Sequence, residues 1–109
     1  DLIIHGNGKQ KRNFIYVEDL AAGAMLALSK KTKNKIITLA SKENITIVNL
    51  AKTIIKITKS KSKIIYNKKK QRFDDYNSKH SYDKNEKKKI KWKPKYNLKN
   101  GLKHYINEI

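Results

Sequence analysis

His5-Gly6-Asn7-Gly8-Lys9-Gln10-Lys11-Arg12-Asn13-Phe14-Ile15-Tyr16-Val17-Glu18-Asp19 is the stretch on which the reading of this chain turns. It opens at the end of a short apolar run, Leu2-Ile3-Ile4-His5, rich enough in β-branched residues to favour a strand. Gly6-Asn7-Gly8 follows, residues that tolerate positive φ and so mark a turn. Phe14-Ile15-Tyr16-Val17 predicts a second strand, placed beside the first by the polar loop 7–13. Glu18-Asp19 then opens a helix, because acidic groups are favoured at a helix N-terminus, with Asp19 expected as its cap.

Downstream, the pattern alternates. Leu20, Ala24, Ala27 and Leu28 fall on one helical face, and that helix is expected to end near Ser29. Ile36-Ile37-Thr38-Leu39-Ala40 predicts a third strand, apolar enough to be covered on both faces. Thr46 is placed to cap a second helix with Ile47, Leu50, Ala51 and Ile54 at helical spacing. Lys63-Ile64-Ile65-Tyr66 predicts a fourth strand, and 68–82 is polar and irregular. Asp83 is expected to start a short helix ending near Lys91-Trp92, and Pro94 to break the chain. Asn97 caps a last helix, with Leu98, Leu102, Tyr105, Ile106 and Ile109 as its apolar stripe. The order implies an α/β fold: one small lobe, 1–109, with short strands and about four helices. So few short strands suit a lobe that leans on a larger domain.

A chain of 109 residues makes one small domain, marginal in the surface it buries. Cysteine is absent, which excludes disulfides and thiolate metal sites. No apolar run approaches the roughly 18 residues of a membrane span, and there is no signal-peptide pattern. A soluble, cytoplasmic protein without a membrane partner is the expectation. Asp1 leads straight into the apolar run, so the chain is expected to begin mid-protein, at a strand edge.

The net charge of +18 and pI of about 10.1 raise a polyanion as partner. The kind of charge argues otherwise. Of 27 basic residues, Arg12 and Arg72 alone are arginine. Nucleic-acid surfaces draw on arginine for bidentate contacts. Abundant Lys, Asn and Ile together match a composition bias from AT-rich coding. Nucleic acid is therefore disfavoured, and the rare arginines become the informative cations.

The opening stretch resembles the G-x-G-x-Q-x-R-D-[FY]-[IV]-[YH]-V-x-D segment of the NAD-dependent epimerase/dehydratase family, the extended short-chain dehydrogenase/reductases that act on nucleotide sugars. Leu39-Ala40-Ser41 with Ile45-Thr46-Ile47-Val48-Asn49-Leu50-Ala51 resembles a second family segment, and Trp92-Lys93-Pro94-Lys95-Tyr96-Asn97-Leu98 with Gly101-Leu102 resembles the family's G-W-x-P-x-x-x-L-x-x-G-[LI]. The pieces come in family order and span nearly the whole chain. Three positions depart from the pattern: Asn13 stands where Asp is common, Lys91 where Gly commonly precedes the Trp, and Glu86 where a Lys is usual.

The resemblance implies the C-terminal, substrate-binding part of such an enzyme, normally packed on an N-terminal Rossmann domain. That domain carries the G-x-x-G-x-x-G loop for NAD and a catalytic Tyr-x-x-x-Lys on a helix. Neither motif occurs here in that setting. Gly6-Asn7-Gly8 lacks the third glycine and the following helix, and Tyr66 with Lys70 follows a strand late in the chain. By itself the chain is expected to be inactive, with no catalytic, cofactor-binding or metal residue. Family members are often homodimers, through helices that would lie upstream.

What remains is substrate binding. The resemblance implies two arginines on the nucleotide diphosphate, Arg12 by motif and Arg72 in Gln71-Arg72-Phe73-Asp74-Asp75. A guanidinium fork matches phosphate oxygens better than an ammonium does. Asp75 is placed for ribose hydroxyls, Ile3 and His5 beside the nucleobase, and Gln10 near the sugar-phosphate. Each has a plainer reading as a surface-loop or strand side chain. His5 has no ligand-type neighbour at metal spacing, and Trp92 reads as a packing anchor. Two rival readings stand beside the enzyme part: a stand-alone lysine-rich nucleic-acid or polyanion-binding module, and an inactive enzyme fragment.

Overall fold

The computed structural model describes residues 1–28, 34–70 and 90–109. In chain order the elements are β1 (Leu2–His5), β2 (Lys11–Asn13), α1 (Val17–Leu26), β3 (Asn44–Thr46), α2 (Ile47–Thr58), β4 (Ile64–Asn67), a 3-10 turn (Lys68–Lys70) and α3 (Leu98–Glu108). The α/β character is as expected, with three α-helices among the described residues. Contacts divide the chain into two compact units: Asp1–Arg12 with Asn44–Lys79, and Asn13–Glu43 with His80–Ile109.

In the first unit, β1 runs parallel to β4, from Leu2 opposite Ile64 to His5 opposite Asn67. Parallel pairing needs a crossover, and α2 lies on that path. Ile4 and Ala51 are buried where α2 meets β1, each aliphatic side chain of this kind contributing on the order of 1–3 kcal/mol. The Thr46 hydroxyl accepts the Asn49 N–H at 3.2 Å, the expected cap. Lys59 closes α2 with a left-handed φ of 52°. β2 pairs with β3 rather than with β1.

That pairing corrects three expectations. The second strand lies at Lys11–Asn13, not Phe14–Val17. It is not β1's neighbour, and β1 takes β4 instead. Ile36–Ala40 forms no strand: Ile36 is 92% exposed, and the segment is held by buried Ala40 and by Leu39 against Gly23. β-branched side chains make extended backbone cheap, but β propensity depends on tertiary context and does not by itself make a ladder.

In the second unit, α1 begins at Val17 on an N-cap, Tyr16, that offers no side-chain hydrogen bond. Asp19 is therefore not the cap. It is buried, 3% exposed, and its carboxylate accepts the Lys95 N–H at 2.9 Å and the Tyr96 N–H at 3.0 Å. The Trp92 indole N–H donates to the Asp19 carbonyl at 2.9 Å, so Trp92 is the packing anchor expected of it. The buried face of α1 runs through Asp19 and Gly23, while Leu20 and Leu28 of the expected face are exposed. Gly23 has no room for a side chain: a Cβ would lie 2.8 Å from Leu39 Cδ1 and 3.0 Å from Trp92 Nε1.

Asn97 caps α3 as expected, its Oδ1 accepting the Asn100 N–H at 2.8 Å. The stripe of α3 differs. Tyr105 and Ile109 are exposed, and His104, which reads as a surface residue, is half-buried. The Tyr16 hydroxyl lies 2.7 Å from His104 Nδ1, and Tyr96 packs on both rings, 4.7 Å from Tyr16 and 5.3 Å from His104. The helix expected from Asp83 lies outside the described residues, apart from its end at Ile90.

Candidate functional site

The turn after β1 sets up the site. Gly6 and Gly8 take positive φ, 87° and 72°, a region that costs a side-chain-bearing residue about 1–2 kcal/mol. The Asn7 carboxamide accepts the Lys9 N–H at 2.9 Å, closing the turn. The Val48 N–H donates to the Gly8 carbonyl at 3.0 Å, and the Ile47 N–H to the Gln10 carbonyl at 3.1 Å. The loop is thereby stitched to the first residues of α2. Gln10 and Arg12, two apart in extended backbone, share one side.

The result is a groove of about 390 Å³ between β1, this loop and α2. Ile3, His5, Gln10 and Arg12 line it, and Ile47, Leu50 and Ile54 of α2 form an apolar wall. Four of the residues that the sequence singles out thus meet in one place. Arg72 and Asp75 lie outside the described residues. The α2 wall was read in sequence as a core stripe. Its helical spacing shows an apolar face but cannot distinguish a wall from a core.

Two local features give the groove chemistry. Gln10 Oε1 is buried and has no hydrogen-bond partner among the described residues. A buried, unsatisfied acceptor costs roughly 1–3 kcal/mol, so it is a place for a ligand donor. The second feature is the edge of β1. Leu2 and Gly6 donate their N–H groups to the Lys63 and Asn67 carbonyls, toward β4. In a parallel ladder alternate residues turn their amides the other way. Ile3 and His5 therefore present theirs to the edge that no described strand pairs. Both residues are exposed. Arg12 is half-buried, with Nη1 donating to the Lys11 carbonyl at 2.9 Å. Lys9 and Lys11 flank it in the sequence.

The glycine turn does not suit a dinucleotide. Gly8 is packed by Val48, Tyr66 and Ile4, a Cβ there lying 3.1–3.4 Å from their side chains. The chain then enters β2, so the turn does not open directly into a helix as a dinucleotide loop does. Among the described residues, the His/carboxylate grouping within 4.8 Å is Glu18, His104 and Glu108, which does not include His5. No helix among them is long and apolar enough to cross a membrane.

The fold has counterparts among solved structures. Residues 1–105 match the family model described as GDP-mannose 4,6 dehydratase. The chain belongs to this family of NAD-dependent epimerases and dehydratases. It is 36% identical over 66 residues to the UDP-N-acetyl-alpha-D-glucosaminuronate decarboxylase of Bacillus cytotoxicus, covering 61% of this chain and 21% of that protein. It is similar in structure to the UDP-glucose 4-epimerase of Thermotoga maritima, solved with UDP-glucose, at a TM-score of 0.86 and 26% identity over 99% of this chain and 35% of that one. It is also similar to the UDP-glucuronic acid 4-epimerase of Bacillus cereus, solved with NAD, at a TM-score of 0.71 and 25% identity over 97% of this chain and 34% of that one. NAD is the cofactor of the family. The chain spans about a fifth of the length of that curated relative and about a third of those solved chains.

Proposed function

We propose that this chain is the substrate-binding lobe of an NAD-dependent nucleotide-sugar epimerase or dehydratase, and that its groove holds the nucleotide part of the substrate. The observation that carries this is the meeting of Ile3, His5, Gln10 and Arg12 along one groove. Arg12 contacts the diphosphate, where a planar guanidinium can bridge two oxygens. The outward amides of Ile3 and His5 meet the polar edge of the base. Gln10 Oε1 takes a donor from the ligand, such as a hydroxyl. The Ile47–Ile54 wall excludes water from one flank, which strengthens each of these polar contacts. Arg72 and Asp75 are assigned to the diphosphate and ribose by the family resemblance.

The described residues supply binding and orientation, not oxidation. The family resemblance assigns the NAD site to another domain of the intact enzyme, a reading that the packing of the glycine turn by side chains of its own unit supports. Holding a substrate in reacting geometry contributes much of an enzyme's rate, and that is the role given to this lobe. The rival reading, a polyanion-binding surface, is favoured by the charge of +18.

Isothermal titration with UDP, dTDP and GDP, and separately with a single-stranded DNA oligomer, distinguishes the two. Saturable binding of one nucleotide, weakened at least about tenfold by Arg12→Ala, is expected. Binding of DNA with a steep salt dependence, with no saturable nucleotide binding or none sensitive to Arg12→Ala, would overturn the proposal.

A further inference from the structure

Asn13 follows Arg12 and departs from the family pattern, which commonly has Asp there. Its carboxamide works in both senses. Oδ1 accepts the Ser41 N–H at 2.9 Å, while Nδ2 donates to the Ser41 carbonyl at 3.1 Å and to the Glu43 carbonyl at 3.2 Å. The Ser41 hydroxyl donates to the same Glu43 carbonyl at 2.8 Å. A carboxylate in this place could accept the Ser41 N–H, but its other oxygen would face two carbonyl oxygens with no proton to share. The turn around Ser41–Glu43 thus requires a donor that Asp lacks at neutral pH.

The position of this clamp gives it a consequence. Asn13 is the last residue of β2, directly after Arg12, and Glu43 is the residue before β3. β2 and β3 pair with each other, and β3 runs without a break into α2. The amide therefore ties off the end of the short ladder that carries Arg12. Both strands have three residues, a short ladder whose end the amide adds to.

We propose that Asn13 is a positioning residue for Arg12, holding the end of β2 so that the guanidinium stays at the groove. The proposal rests on the reading of Arg12 as the phosphate contact. Its test is a double-mutant cycle on the nucleotide dissociation constant, with UDP, dTDP and GDP as probes. Asn13→Asp is expected to weaken the bound nucleotide about tenfold, the factor that corresponds to one hydrogen bond's net contribution. In an Arg12→Ala background it is expected to add less than twofold, since it acts through that arginine. A change that merely destabilised the fold would shift the unfolding midpoint and leave the cycle additive. Where Asn13→Asp does not fold, Asn13→Ser, which keeps a smaller donor and acceptor, is carried through the same cycle with the same criterion. Unchanged affinity in Asn13→Asp beside a loss in Arg12→Ala overturns this proposal alone, as does a loss that persists without Arg12. Unchanged affinity in Arg12→Ala overturns the groove reading, and this proposal with it.

Discussion

Asp19→Asn is the sharpest test of how the second unit is held together. The side chain is 3% exposed, and its two oxygens accept the backbone N–H groups of Lys95 and Tyr96 at 2.9 and 3.0 Å. Those bonds tie the first turn of α1 to the segment that leads into Asn97, the cap of α3. Asparagine has the same shape but only one acceptor oxygen. Whichever way the amide rotates, its NH2 group faces one of the two N–H donors. The loss is one hydrogen bond to a charged group, about 1.5–3 kcal/mol, plus a stranded, part-buried N–H at up to about 1–3 kcal/mol. A total of about 2.5–6 kcal/mol is a large part of the roughly 5–15 kcal/mol that holds a domain of this size. Trp92, the sole tryptophan, donates to the Asp19 carbonyl, so its fluorescence reports on this junction directly. In urea titration the Trp92 midpoint is expected to fall by this amount over m, with m unchanged. A loss below about 1 kcal/mol, the size of a single neutral hydrogen bond, would mean that the carboxylate does not clamp the two amides.

Two further outcomes follow from the backbone and the ring cluster. Lys91 takes a left-handed φ of 52° where the family motif commonly has Gly. Lys91→Gly relieves a conformation costing about 1–2 kcal/mol in a side-chain-bearing residue, less an entropic cost of about 0.5–1 kcal/mol. A net gain near 1 kcal/mol in the same urea titration is expected, and a loss would refute the backbone argument. The Tyr16 phenol is held above its ordinary 10.0 by desolvation first, then by the carboxylates of Glu108 and Glu18. The Tyr96 phenol is raised in the same way, with Glu18 as its main charged neighbour. The folded chain then keeps these protons where the unfolded chain has lost them. Their contribution is full below pH 10.0 and is lost as pH rises through the folded values. An unfolding midpoint that drops above that pH, and drops less in a Tyr16→Phe/Tyr96→Phe variant, is the expected result. An identical pH profile in the variant would remove the ring cluster from the account.

What the sequence determined by itself was local. Thr46 and Asn97 cap their helices because a side-chain oxygen three residues before an amide needs no distant partner. The glycine turn after β1 was legible because positive φ is written in residue type. Arg12 stood out by its rarity among lysines, and the motif order fixed the family. Everything that needed a partner far along the chain was decided by tertiary structure. Ile36–Ala40 has the composition of a strand and does not form one, while Lys11–Asn13, with little β propensity, paired with Asn44–Thr46. Asp19 sat where a cap belongs and was drawn inward by amides 76 and 77 residues away. His104 read as a surface residue until Tyr16, 88 residues distant, came within 2.7 Å. The groove itself exists because β1, the loop and α2 converge. Side-chain spacing within an element specifies which face is apolar, but only the packing of other elements settles whether that face becomes a core, a wall or an open surface.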